Sequence, residues 1–166
     1  YRRLERWQSY VYDNPVLFND LSDSNNFFSE MDEHKVYIAE KDREWQATSK
    51  DGTTQFMRDI INNQRSERLR SVMTFFEEKY GYPVFLEIFI TNKYGVNIAE
   101  TGKTTDYYQA DEDWWQLASK NGTYISDIEY DESSNVYSLE IVVRIDGKNG
   151  DMAGVLKAVY NIQEIT

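Results

Sequence analysis

Val84-Phe85-Leu86-Glu87-Ile88-Phe89-Ile90-Thr91, then Asn92-Lys93-Tyr94-Gly95, then Val96-Asn97-Ile98-Ala99 stand together over residues 84–99. The first run is apolar and β-branched and reads as a mostly buried strand. The second carries the polar residues and glycine of a tight turn. The third alternates and returns as a second strand. An antiparallel hairpin in mid-chain therefore sets the fold class.

Downstream, Gly102 to Gln109 is a polar connection that ends in Tyr107-Tyr108. Asp111-Glu112-Asp113 then reads as the acidic cap of a short helix, because acids there satisfy free amides and complement the helix dipole. Trp114, Leu117 and Ala118 fall on its expected inner face, and Asn121-Gly122 ends it. Adjacent side chains on a helix point about 100° apart. Trp114 is accordingly read as core and Trp115 as pocket-lining. Three more strands are expected at about Thr123–Tyr130, Val136–Ile145 and Met152–Ile162, joined by links short enough for hairpins.

Upstream the pattern is helical. Leu4, Trp7 and Val11 form a narrow apolar stripe that Asn14-Pro15 interrupts. Residues 19–31 are rich in Asp, Ser and Asn and read as loop with apolar anchors such as Phe27 and Phe28. A helix is expected from Asp32 to Ser49, and another from Thr53 or Thr54 to Tyr80, stopped by Gly81. The polar middle of that last helix, residues 62–68, reads as a stretch running past its core. Expected overall is one α+β module over residues 1–166, helical over 1–80, with a five-stranded antiparallel sheet over 81–166.

Composition bounds the function. The 166 residues are 40% hydrophobic and 15% aromatic, with 13 tyrosines, which is too rich for a disordered chain. A net charge of -11 repels phosphate backbones and excludes a nucleic-acid partner. No cysteine is present, so disulfides, thiol catalysis and thiolate metal sites are excluded. His34 is the one histidine, and zinc would lack ligands. Gly-Lys occurs without phosphate-loop spacing, and no Ser sits in a nucleophile elbow. No catalytic residue, metal site or cofactor is expected.

Phe89-Ile90-Thr91-Asn92-Lys93-Tyr94-Gly95-Val96, Asp106-Tyr107-Tyr108, Glu112-Asp113-Trp114-Trp115-Gln116-Leu117-Ala118, Gly122-Thr123-Tyr124-Ile125-Ser126 and Gly154-Val155-Leu156-Lys157-Ala158 follow one another in a familiar order. Together, over residues 84–163, they resemble the Cache domains, PAS-like extracellular sensors of membrane histidine kinases and chemoreceptors. The resemblance implies an antiparallel sheet with helices on one face and a long N-terminal helix. It also implies a small-molecule pocket between the sheet and the segment Gly102–Gly122. Amino-acid-binding members carry an ordered Tyr, Arg, Trp with a neighbouring aromatic, Tyr and late Asp. Tyr107, Trp114, Trp115 and Tyr130 match the aromatic places, whereas Glu112 and Val159 stand where the Arg and Asp would be. A carboxylate clamp and an amine partner are thus missing. A cationic or amine ligand, a neutral ligand, or loss of the ligand all stay open.

The candidate ligand-binding residues are Tyr107, Tyr108, Trp114, Trp115, Tyr124, Tyr130, Asp131 and Asp146. The chain is expected to be the exterior, non-catalytic sensing part of a membrane-anchored receptor. Homodimerisation through the N-terminal stripe is expected too. A protein-interaction domain and a soluble hydrolase using acidic residues are the alternatives.

Overall fold

Pro15 is the first residue of a described helix. Proline fits the first helical turn, where the missing N–H would have no partner in any case. The computed structural model describes residues 15–132 and 134–162. Within them run α1 (Pro15–Ser29), α2 (His34–Ala47), α3 (Gln55–Ile61), α4 (Gln64–Tyr80), β1 (Phe85–Asn92), β2 (Asn97–Glu100), α5 (Asp113–Asn121), β3 (Thr123–Ile125), β4 (Glu129–Asp131), β5 (Val136–Asp146) and β6 (Met152–Asn161). The expected N-terminal helix around Leu4, Trp7 and Val11, and dimerisation through it, lie outside the described residues. No described helix is long and apolar enough to cross a membrane.

The expectation of a loop over 19–31 is overturned. Leu21, Asn25 and Phe28 are buried along one face of α1. The polar residues that suggested loop are what dock it. Asn25 donates to Ala153 O (2.8 Å) and accepts from the Lys93 amide (3.0 Å), while Ser24 Oγ accepts from Asn92 Nδ2 (2.9 Å). Tertiary bonds here outweigh weak helix propensity.

The long helix expected from Thr53 to Tyr80 is two helices, α3 and α4. The polar stretch 62–68 holds the joint, Asn62-Asn63, and the first turn of α4, and Asn63 and Ser66 lie against β2. Asn63 caps α4 by accepting from the Ser66 amide and donates to Ile98 O on β2. Ser66 is fully buried, donating to Ile60 O (2.6 Å) and accepting from the Glu100 amide (2.9 Å). A buried joint of this kind needs hydrogen-bonding groups, which is why it reads polar.

The sheet has the order β2-β1-β6-β5-β3, with β4 also on β5, and every pair is antiparallel. The expected third strand is thus two, making six strands where five were expected. At the break, Ser126 donates its amide to Glu140 O (3.0 Å), and its hydroxyl accepts from the Glu140 amide (2.8 Å). A side chain standing in for a carbonyl ends the regular ladder. The hairpin read over 84–99 forms as expected. Gly95 sits at φ 82, and a Cβ there would meet Ala110 at 2.2 Å, so only glycine fits.

Helices cover both faces, not one. Leu21 of α1 and Leu69 and Val72 of α4 pack with Ile88, Ile90, Leu156 and Ile145 on one side. α5 lies on the other, packing Trp114, Trp115 and Ala118 on Phe89, Val142 and Val155. A third cluster joins Phe28, Ile38, Trp45 and Met57 to Val96 and Tyr107. Six antiparallel strands and five described helices are consistent with a PAS-like, Cache-type fold. Because Ser66 bonds two buried backbone groups, Ser66→Ala is expected to cost about 1–3 kcal/mol. Chemical denaturation with unchanged m would measure it.

Candidate functional site

Register determines what the α5 face of the sheet displays. Asn97, Thr91, Val155 and Arg144 are cross-strand neighbours in one row. Glu100, Phe89, Lys157, Val142 and Tyr124 form the next row. Glu87, Val159 and Glu140 form the third. α5 packs on the first two rows, and the third stays partly open, since Glu87, Val159 and Glu140 are all half-buried.

Both tryptophans seat α5. Trp114 meets Phe89 edge to face, with centroids 5.8 Å apart. Trp115 donates its Nε1–H to Thr91 Oγ1 at 2.8 Å. Each ring is only 8% exposed, so Trp115, read as pocket-lining, is as buried as Trp114, read as core. The helix lies flat on the sheet at its first turn, and rings diverging by about 100° reach two neighbouring rows. Leu117, expected inward, is instead exposed. Glu112 occupies the cap position of α5 without a side-chain capping bond, so capping by that acid is corrected as well.

The open row carries charge beside these rings. Lys157 Nζ lies 2.8 Å from Glu140 Oε1, 4.5 Å from the Trp114 ring centre and 5.7 Å from that of Phe89. Burial raises the Glu87 carboxyl above its ordinary range, opposed by Lys157 and reinforced by Glu140. Glu112 is raised chiefly by burial, then by Asp111 and Asp106. One ammonium therefore serves three nearby carboxyls, leaving a negative, aromatic-edged patch. An ammonium above a Trp face is attracted by the ring quadrupole, and Lys157 occupies that position here. No group of three or more His, Asp or Glu among the described residues could hold a metal ion.

No family model and no curated protein matches the chain. Solved structures do, and they are sensors. The chain is similar to the ligand-binding domain of a Campylobacter jejuni chemoreceptor in complex with 4-methylisoleucine, with 16% identity over 93% of this chain and 60% of that one and a TM-score of 0.41. It is also similar to a sensory box sensor histidine kinase from Vibrio cholerae, with 14% identity over 59% of this chain and 98% of that one and a TM-score of 0.40. A third is the ligand-binding domain of a Pseudomonas aeruginosa amino acid chemoreceptor in complex with GABA, at 8% identity over 90% and 60% and a TM-score of 0.43. The chain spans about three fifths of the length of the two chemoreceptor domains.

The eight residues singled out from sequence do not come together. Trp114, Trp115 and Tyr124 share the α5 face. Tyr107 is buried in the helical cluster, stacked on Trp45 at 5.8 Å, and burial pushes its hydroxyl pKa up. Tyr108 packs beside that cluster, and the amides of both tyrosines donate to Asp42 Oδ1 (3.0 Å). Tyr130 is 47% exposed and meets Tyr137 at the far hairpin, next to Asp131, which accepts from Ser134. Asp146 pairs with Arg144 (2.8 Å) at the opposite end of β5. From Tyr137, opposite Tyr130, to Asp146 the strand runs about 30 Å, too far for one small ligand. Sequence reasoning missed Glu87, Glu140 and Lys157. For Glu87 and Lys157 the signal was a lone charge inside a mostly apolar strand, whereas Glu140 shares β5 with Arg144 and Asp146. Trp115→Phe, which removes the bond to Thr91, is expected to lower stability by about 1–2 kcal/mol, whereas Tyr130→Phe should change it by under about 0.5 kcal/mol. Thermal denaturation of the pair checks the ranking.

Proposed function

We propose that this chain is the exterior ligand-sensing domain of a membrane receptor, of the histidine kinase or chemoreceptor kind. Its ligand would bind on the open row of the α5 face. The observation that carries this reading is Lys157, whose ammonium sits against Glu140 and the Trp114 ring within a set of carboxyls it cannot neutralise alone. Such surroundings favour a ligand that brings a further ammonium. They disfavour one gripped by its carboxylate, since Glu112 stands where amino-acid-binding members of the resembled family carry Arg.

Binding, and not turnover, is the expected activity. Occupancy would hold α5 and the crossover against the sheet, and a differential affinity of about 1–3 kcal/mol between two arrangements is enough to signal. The neighbouring sensor domains give this reading its setting, with the output module and membrane spans lying in flanking chain. A thermal-shift screen of small amines and small carboxylates tests it. A cognate amine at 100 Kd stabilises by about 2.7 kcal/mol, and Glu140→Gln and Glu87→Gln should each abolish most of that gain. A shift unchanged in both variants, or one given by carboxylates alone, would contradict the site.

A further inference from the structure

On the α5 face of β2, two buried oxygens have no hydrogen-bond donor among the described residues: Glu100 Oε1 and Asn97 Oδ1. Both side chains are essentially inaccessible, Glu100 at 0% and Asn97 at 2% exposure. The other half of each group is well held. Glu100 Oε2 accepts from the Thr104 amide (2.9 Å). Asn97 Nδ2 donates to Thr104 Oγ1 (2.8 Å) and to Asp106 O (3.0 Å), and Thr104 Oγ1 donates to Asp106 O (2.7 Å). A backbone carbonyl can only accept, so the Asp106 contact fixes which end of the amide is nitrogen. The amide oxygen is thereby left without a donor, and the Asn97 side chain lies against the Glu100 carboxyl. Two acceptors cannot bond each other, and leaving both unmet in the interior is costly.

One proton resolves both. We infer that Glu100 is a neutral acid whose hydroxyl donates to Asn97 Oδ1, and that this proton is a latch holding the crossover Thr101–Gln109 onto β2. Ionisation would place a carboxylate against the lone pairs of the Asn97 oxygen, on the same sheet face as Glu87. The ring of bonds through Thr104 would then open to water.

Among the described residues, no cation is recorded against the Glu100 carboxyl. From β1, Glu87 adds repulsion. From α4, Arg70 reaches the backbone carbonyl of Glu100 (3.5 Å), not its carboxyl. On α3, Arg58 is bound to Thr53 and Gln55, and Asp59 to Gln55. On the crossover, Lys103 is held by Ser49 O and Gly52 O, and Asp106 carries a second negative charge. Lys157 on β6 is engaged by Glu140. Burial foremost, with Glu87 adding to it and contacts with Thr104 and Asn97 opposing it, raises the Glu100 pKa to about 8. A carboxyl raised on folding binds a proton that the unfolded chain has released. Stability therefore falls as pH climbs from the ordinary carboxylate range through 8, with the full contribution present only at acid pH.

Trp45 supplies a local reporter, because its Nε1–H donates to Thr104 O at 2.8 Å. The test follows the Trp45 indole N–H resonance of this chain between pH 6 and 9. In the unsubstituted protein it should move with a midpoint near 8. Glu100→Gln, whose amide can donate permanently to Asn97, should remove that movement and melt above the unsubstituted protein at pH 9. Glu87→Gln should lower the midpoint by removing the neighbouring charge. No movement between pH 6 and 9, or the same midpoint in Glu100→Gln, would overturn the inference. If Glu100→Gln fails to fold, an unchanged midpoint in Glu87→Gln overturns it as well. None of these readings requires a ligand on the open row.

Discussion

The chain leaves β2 at one edge of the sheet and must begin β3 at the other. Everything between, Thr101 to Gly122, has to cross the sheet, and the irregular stretch before α5 has no helix of its own to satisfy its backbone. Its backbone groups must therefore find fixed partners or water. The partners come from both sides. Trp45, Asp42 and Glu100 hold Thr104, Tyr107 and Tyr108, while Val96 and Gly95 pair with Tyr108 and Gln109. Trp115 then anchors the far half to Thr91. With this strap in place, one face of the sheet is divided into a sealed part and an open row.

The strands were legible because their signals are local. A β-branched run, a turn with glycine and an alternating return suffice for a hairpin, and short polar links suffice for the later ones. The crossing of α5 was legible too, from its flanking acids and glycine. What failed were places where distant partners overrule local preference. The Asp, Ser and Asn residues of α1 look like loop formers until Asn25 is seen bonded to Ala153 and Lys93. Likewise, the polar joint at Asn63 and Ser66 cannot be told from solvated helix until β2 lies against it.

The candidate site was legible only in part, for a related reason. Aromatic residues announce themselves, so Trp114, Trp115 and Tyr124 were found, but so were Tyr107 and Tyr130, which lie elsewhere. Position along the sequence says little about row. Glu87, Lys157 and Glu140 share one side of the sheet only because β6 runs between β1 and β5 in the observed register. A slip of one residue would send each to the opposite side. Of the two departures from the resembled pattern, Val159 lies in the acid-rich row itself, and Glu112 feels the charges of Glu140 and Lys157.

Asn25 grips the start of β6 and the β1–β2 turn together. Neither rotation of α1 about its axis nor sliding along it leaves both bonds intact. Leu21 and Phe28, two turns apart, are meanwhile sunk into separate cores. The helix is thus keyed to the sheet like a spline in a shaft. Torque applied to its outer end would turn the β-layer with it, and a tilt of the β-layer would be carried outward along α1 undiminished.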